Sequence, residues 1–295
     1  MVELRIKKYK TGNNYTLEHS IREEGRVYKV RKSLGKNLPK NIELVKKQFY
    51  HQIFMNNMTP ILKEIKKAYS KHEKTIPKSA KEKEIENFAI KFTYETQKIE
   101  GSTLTLRDTA NLLQKGLAPK KSIRDVKEAQ AHRLAFYEML NEEKNLILQL
   151  ILKWHKMLFS QTKEDIAGKV RKHQVAISGS KFIPLSPIEV DVELKEFFKW
   201  YNKNKSNMHP VELAALTHLK FVTIHPFSDG NGRISRLMMN FVLHKNKFPL
   251  FSISYLGRDS YYTALERAQI KSEEIIFIRW FIKKYIKEMK KMKLI

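Results

Sequence analysis

Residues 225–236 read His225-Pro226-Phe227-Ser228-Asp229-Gly230-Asn231-Gly232-Arg233-Ile234-Ser235-Arg236. Pro226 disfavours helix at His225 and sets an extended entry, while Gly230 and Gly232 permit a tight loop whose amides can approach a ligand closely. Downstream, Ile234, Leu237, Met238, Phe241 and Val242 recur at spacings of three and four, which predicts an amphipathic helix with one buried face. The loop therefore feeds a helix N-terminus, where orphan backbone donors and the helix dipole favour an anion. Arg233 and Arg236 near that first turn oppose the dipole unless an anion answers them, and a polyphosphate meets the demand. Asp229 suits Mg2+, which takes one or two carboxylates together with phosphate oxygens. His225, with an ordinary pKa of roughly 6.5, can accept a proton near neutral pH.

The run resembles the signature of the Fic family, His-Pro-Phe-x-Asp-Gly-Asn-Gly-Arg-x-x-Arg, and agrees with it at all nine specified positions. The resemblance implies a protein adenylyltransferase that moves AMP from ATP to a Ser, Thr or Tyr hydroxyl. It implies His225 as the base, Asp229 as the magnesium ligand and Gly230, Asn231 and Gly232 as the phosphate cradle. Arg233 would hold the β-phosphate and Arg236 the γ-phosphate, with Ile234 and Ser235 completing the nucleotide-binding run. In the related Doc kinases the second glycine of the motif is lysine, so Gly232 favours nucleotidyl over phosphoryl transfer.

Upstream, Thr96-Gln97-Lys98-Ile99-Glu100-Gly101 resembles the inhibitory motif of many Fic proteins. Ile85, Phe88, Ala89, Phe92 and Ile99 are compatible with one helical face, and Gly101 supplies a stop, placing Glu100 at a helix end. A solvated surface Glu beside a turn is the plainer reading. By resemblance, Glu100 pairs with Arg236 where the γ-phosphate would sit, with Thr96 and Gly101 shaping the motif. The same carboxylate could instead position water to remove AMP, a deAMPylase reading.

Between the motifs, residues 173–177 and 181–184 flank Ser178-Gly179-Ser180 and predict a β-hairpin. It could be an ordinary surface hairpin. By resemblance it is the flap, with Val175, Ala176, Ile177, Ser178, Gly179, Ser180 and Lys181 docking an extended target segment by strand addition; Gly168 and Arg171 fall where the family places them. Past the signature, Tyr261 and Tyr262 match the family's adenine and ribose pocket, although aromatics at helical spacing are more often core. The family's usual Asn is here Gln269, the same amide on a longer arm.

The expected fold is mainly α, a Fic-type helical bundle with a β-hairpin flap and a small N-terminal β-rich appendage. Periodicity predicts helices over 122–140, opened by Ser122 and Asp125, and over 146–159, 188–202, 211–223 and 272–289, with 146–159 as the buried central helix. Strands are expected over 3–10, 16–21 and 26–31, with turns at 12–14 and 23–25. Three regions follow: a β-rich arm over 1–36, a helical connection with a Lys-rich loop over 37–83, and a catalytic domain over 84–295 that includes an inhibitory helix over 85–100.

The chain has 295 residues and a formal charge of +26. Its basic residues are spread along the whole length, which suits either a hot-environment protein or one that meets nucleic acid. A third functional reading is therefore a nucleotide-sensing, nucleic-acid-binding module. Zero cysteines exclude disulfides, thiolate metal sites and a Cys nucleophile. His155, in an apolar helix, reads as core. No signal peptide or apolar span is evident, so a cytoplasmic protein is expected. ATP and a target protein, with the chain itself among the candidate targets, are the expected partners, and the resemblance allows a homodimer.

Overall fold

The computed structural model describes residues 3–9, 12–23 and 25–295, and the chain divides into two compact units, Met1–Lys63 and Glu64–Ile295. In the first, strands β1 (Glu3–Tyr9), β2 (Gly12–Glu23) and β3 (Arg26–Gly35) form an antiparallel sheet in the order β1-β2-β3. Period-two patterning puts Leu17, Ile21, Val30 and Leu34 on one face, against Phe49 and Ile53 of the helix that follows. The expected turn at 12–14 lies inside β2, because Gly12 pairs with Tyr9 and Asn13 and Asn14 continue the ladder. Lys10, expected to end the first strand, and Glu24 of the second turn lie outside the described residues.

Helix α1 (Ile42–Thr75) and helix α2 (Lys78–Ile99) leave only Ile76 and Pro77 between them, where a loop over 71–83 was expected. Lys, Glu and Ala propagate helix well, and Pro is tolerated at a helix start, where its missing N–H is no loss. His72 meets Glu84 at 3.0 Å and Glu73 pairs with Lys81, tying the two helix ends together.

Helices α3 (Leu106–Lys115), α4 (Ile123–Asn141), α5 (Leu148–Phe159), α6 (Pro187–Asn204), α7 (Pro210–Ile224), α8 (Asn231–Lys245), α9 (Arg258–Lys271) and α10 (Glu274–Lys291) complete the second unit. The central elements are α7 and α8, not the expected α5. Leu150, Ile151, Trp154 and Leu158 of α5 face inward, but Lys153 and Lys156 keep its other side in water. On α7 and α8 nearly every residue is buried, including Ser235 and Asn240. Asn240 is tolerated because it closes a two-way bond with the backbone of Phe251, at 2.8 and 2.9 Å. Ser122 makes no side-chain cap to α4; Asp125 instead accepts from the N–H and hydroxyl of Thr103 at 2.7 and 2.8 Å, pinning the chain just after α2.

Helix α3 was not among the segments singled out by periodicity, though its signals are present. Thr105 and Asp108 form a reciprocal capping box, and Gly116, with φ 70°, ends the helix in the left-handed conformation. Replacing Thr105 by Ala should lower stability by about 1 kcal/mol, read as a shift in the urea midpoint; an unchanged midpoint would mean that the box contributes nothing.

Candidate active site

The loop between α7 and α8 carries the site. His225 caps α7 in the left-handed region, φ 54° and ψ 56°, which turns its ring back over the helix end. There Nδ1 lies 3.1 Å from the carbonyl of Val222. A carbonyl only accepts, so Nδ1 carries the hydrogen and Nε2 keeps its lone pair. Burial lowers the imidazole pKa, with a smaller push from Arg171, against the opposing pull of the Val222 bond and of Glu100 and Asp229. The ring is therefore neutral at pH 7 and able to accept a proton.

Arg171 fixes the backbone beneath it. Its Nε donates to the carbonyl of His225 at 2.7 Å, Nη1 to that of His173 at 2.8 Å and Nη2 to that of Leu185 at 2.6 Å, while its own N–H donates to Pro226 at 2.9 Å. One buried guanidinium thus joins the base to both ends of segment 173–185. That segment makes the expected turn, with Ser180 N–H donating to Ile177 and Gly179 at φ 74°, but it forms no β-ladder. Side chains hold it instead. Gln174 donates to Pro184 at 3.0 Å, and Glu266 of α9 accepts from Ser180 Oγ and from the Lys181 N–H at 3.1 and 2.6 Å. No described hydrogen bond uses the backbone N–H groups of residues 174–179.

The loop interior is equally determined. Asn231 accepts from the Phe227 N–H at 2.9 Å and donates to its carbonyl at 2.8 Å. His155 accepts from the Gly168 N–H through Nδ1, so its Nε2 donates to the carbonyl of Asp229 at 3.0 Å. Burial takes His155 down to about 4, and it stays neutral. Gly230 sits at φ 82° with Phe159 beneath it; a Cβ there would come within 2.5 Å of the ring.

Six charged side chains converge around the first turn of α8. Asp229 lies between Lys163 and Arg233, the latter at 2.9 Å. Burial alone would raise its pKa, but Arg233 and Lys163 prevail and hold it at about 2. Arg233 is buried, pairs also with Glu128 of α4 and stacks over Phe159 at 4.5 Å. Arg236, 1% exposed, pairs with Glu100 at the end of α2, approaches the Thr96 carbonyl at 3.5 Å and meets the Tyr261 hydroxyl at 3.4 Å. The Glu100 carboxylate lies over the first turn itself, since a Cβ on Gly232 would sit 2.5 Å from its Oε1. An anionic oxygen thus already occupies the spot that the helix dipole and Arg236 favour.

The Fic/DOC family profile matches residues 145–243, which span α5 to α8 and the segment between α5 and α6. Over that stretch the chain is similar to a Fic/DOC domain. Protein adenylyltransferase fic-1 of Caenorhabditis elegans is 34% identical over 186 residues, covering 61% of this chain and 36% of that protein. Protein adenylyltransferase Fic of Drosophila ananassae is 36% identical over 180 residues, 59% of this chain and 36% of that one. The chain thus spans little more than a third of the length of these curated relatives. A crystal structure of a Fic-domain signaling protein from Bacteroides thetaiotaomicron superposes with a TM-score of 0.70 at 27% identity, covering 77% of this chain and 95% of that one. Fic-1 from C. elegans superposes at 0.72 and 27% identity, covering 86% and 77%.

Within the matched segment and the helices around it, the structure brings Glu100, Thr96, Asp229, Gly232, Arg233, Arg236 and Tyr261 into one cluster. Tyr261 stands behind Arg236 rather than on an open surface: it is 1% exposed and its hydroxyl also meets His218 Nε2 at 3.0 Å. Tyr262, 45% exposed, donates to the carbonyl of Ile99 at 3.2 Å, tethering the end of α2. Gln269 donates to Thr223 Oγ1 at 3.2 Å, two residues before the base. Lys163, Glu128 and Glu266 were not anticipated. Each reaches the site from another element, and nothing in its local sequence marks it; His155, read as core, is buried and also positions the Asp229 carbonyl.

Gly230→Ala should cost about 1–3 kcal/mol, from the positive φ and the Phe159 contact together. A urea midpoint equal to wild type would show that the loop accommodates a side chain.

Proposed function

We propose that this protein is an adenylyltransferase that transfers AMP from ATP to a hydroxyl of a protein, held inactive by Glu100. The observation that carries the reading is the Glu100–Arg236 pair above the first turn of α8, at a family signature whose other members include named protein adenylyltransferases. On this reading Glu100 stands where the γ-phosphate would lie. ATP must therefore displace it before its α-phosphorus can be aligned with the base.

Each residue then has a physical task. Asp229, ionised far below neutral pH, offers a single carboxylate, and among the described residues no group of three metal-ligating side chains surrounds it. That fits Mg2+ arriving with the nucleotide, since the ion keeps water and phosphate oxygens as its other ligands; when bound it would neutralise phosphate charge. Lys163 now holds one oxygen of that carboxylate and would have to turn aside. The α8 amides and Arg236 take the polyphosphate, and Arg233, braced by Glu128, keeps Asp229 in place. His225 Nε2 removes the proton as the target oxygen bonds to the α-phosphorus, and the bond to the bridging oxygen breaks to release pyrophosphate. Positioning and charge neutralisation supply the acceleration, as in phosphoryl chemistry generally. Segment 175–181, in which the backbone N–H groups of 175–179 make no described hydrogen bond, is suited to hold an extended target segment by strand addition. Tyr262, the exposed member of the tyrosine pair, is the better placed to line the nucleoside side.

With ATP labelled at the α-phosphate and magnesium, Glu100→Gly should increase protein labelling by roughly tenfold or more, which corresponds to about 1.4 kcal/mol of competition removed. His225→Ala in that background should abolish it. Absence of label from every variant, with added candidate targets, would contradict transfer, and Glu100-dependent loss of AMP from a labelled protein would favour removal instead. The pH dependence has a determined sign. Labelling needs neutral His225, whose pKa is lowered, so activity of Glu100→Gly should be flat through neutral pH and fall on acidification with a midpoint below 6.5. A midpoint above 7 would contradict the assignment of the base.

A further inference from the structure

The N-terminal sheet packs one face on α1 and leaves the other uncovered. Register places Glu18, Ser20 and Arg22 of β2 on that open face with Lys29 and Arg31 of β3 and Arg5 of β1. The four cations are exposed and Glu18 is not, and register also sets Glu3 of β1 opposite Glu18. Glu18 is 4% exposed and is bonded by Arg31 at 2.8 Å, Arg5 at 3.0 Å and Lys29 at 3.1 Å. These contacts fix the cationic heads, and the single charge of Glu18 cannot neutralise both Lys29 and Arg31. Arg31 engages Glu18 through Nε alone, so its two Nη groups remain for a second anion, and guanidinium forks suit phosphate. The surplus extends beyond the face, since residues 1–41 hold eleven Lys and Arg against four Glu.

We propose that this face of the sheet docks on the phosphate backbone of duplex DNA. The inference goes beyond the adenylyltransferase reading and does not depend on it. Charge density selects the partner. A duplex presents one negative charge per roughly 1.7 Å of axis, whereas an extended polypeptide can offer at most about one per 3.3 Å. Strand addition by an acidic peptide would use the edge of β3 and would not need cations arrayed over a face. A single strand would call for a row of stacking platforms, whereas the open-face residues of β2 and β3 include no aromatic and register sets only Tyr9, at the end of β1, on that face.

The test is fluorescence anisotropy of a labelled duplex of roughly two helical turns with the full chain, between about 50 and 200 mM salt. Wild type should bind with a steep salt slope. Each phosphate that a Lys or Arg neutralises adds roughly 0.9 to that slope, so Lys29→Gln with Arg31→Gln should make it shallower by about 2. Arg22→Gln, which leaves the Glu18 cluster intact and so spares folding, should make it shallower by about 1. Lys283→Gln with Lys287→Gln, exposed on α10, removes as much charge elsewhere and should leave the slope unchanged. Four results would overturn the proposal: no binding by wild type at low salt, an equal effect of the α10 pair, a wild-type slope in Arg22→Gln, or equal displacement of the duplex by polyglutamate of matched charge.

Discussion

A buried guanidinium must have an anion, and Arg236 takes Glu100. With 1% of the Arg236 side chain exposed and 25% of that of Glu100, water can approach only one partner. Removing one member of a fully buried pair costs about 3–5 kcal/mol; here the cost falls below that range, because solvent reaches the Glu100 side. That asymmetry suits a replaceable anion. The arginine is fixed from behind by Tyr261, itself held by His218, while the carboxylate sits at a helix end tied down by Tyr262 and by the Asp125 contact with Thr103.

The same economy runs through the site. Asp229 is answered by Lys163 and Arg233, and Arg233 by Glu128. Every charge a nucleotide would address is already paired within the chain, so on the proposed reading binding exchanges partners instead of filling vacant places. The neutral groups are arranged differently. His225, His155 and Asn231 are locked by backbone carbonyls and amides, which keeps the base and the loop in position while the ion pairs change.

The parts of this structure legible in the sequence are those encoded locally. The helix that the α7–α8 loop opens and the placement of Glu100 at a helix end follow from the glycines and the apolar spacing, whereas the extended entry expected from Pro226 is absent, because His225 ends α7 in the left-handed region at φ 54° and ψ 56°. The contacts that hold Arg171, Glu128, Lys163 and Glu266 in their roles join residues from 54 to 105 positions apart and leave no local trace. The lysine-rich stretch misled because solvated Lys and Glu suit a helix surface as well as a loop. The ladder over 173–184 was expected from two short segments about Ser178-Gly179-Ser180, but side chains from Gln174 and Glu266 replace the backbone bonds that would have made it. Tyr261 shows the limit of motif reading, since only packing reveals that it supports the arginine.

The shared use of Arg236 is tested most directly by a double-mutant cycle on nucleotide affinity, with Glu100→Ala, Arg236→Ala and the double variant titrated by calorimetry with ATP and with ADP. If the carboxylate and the γ-phosphate compete for one guanidinium, Glu100→Ala should tighten ATP by roughly tenfold, about 1.4 kcal/mol, and ADP much less. The gain should vanish when Arg236 is already Ala. Equal tightening of ATP and ADP, or a gain that persists without Arg236, would contradict it.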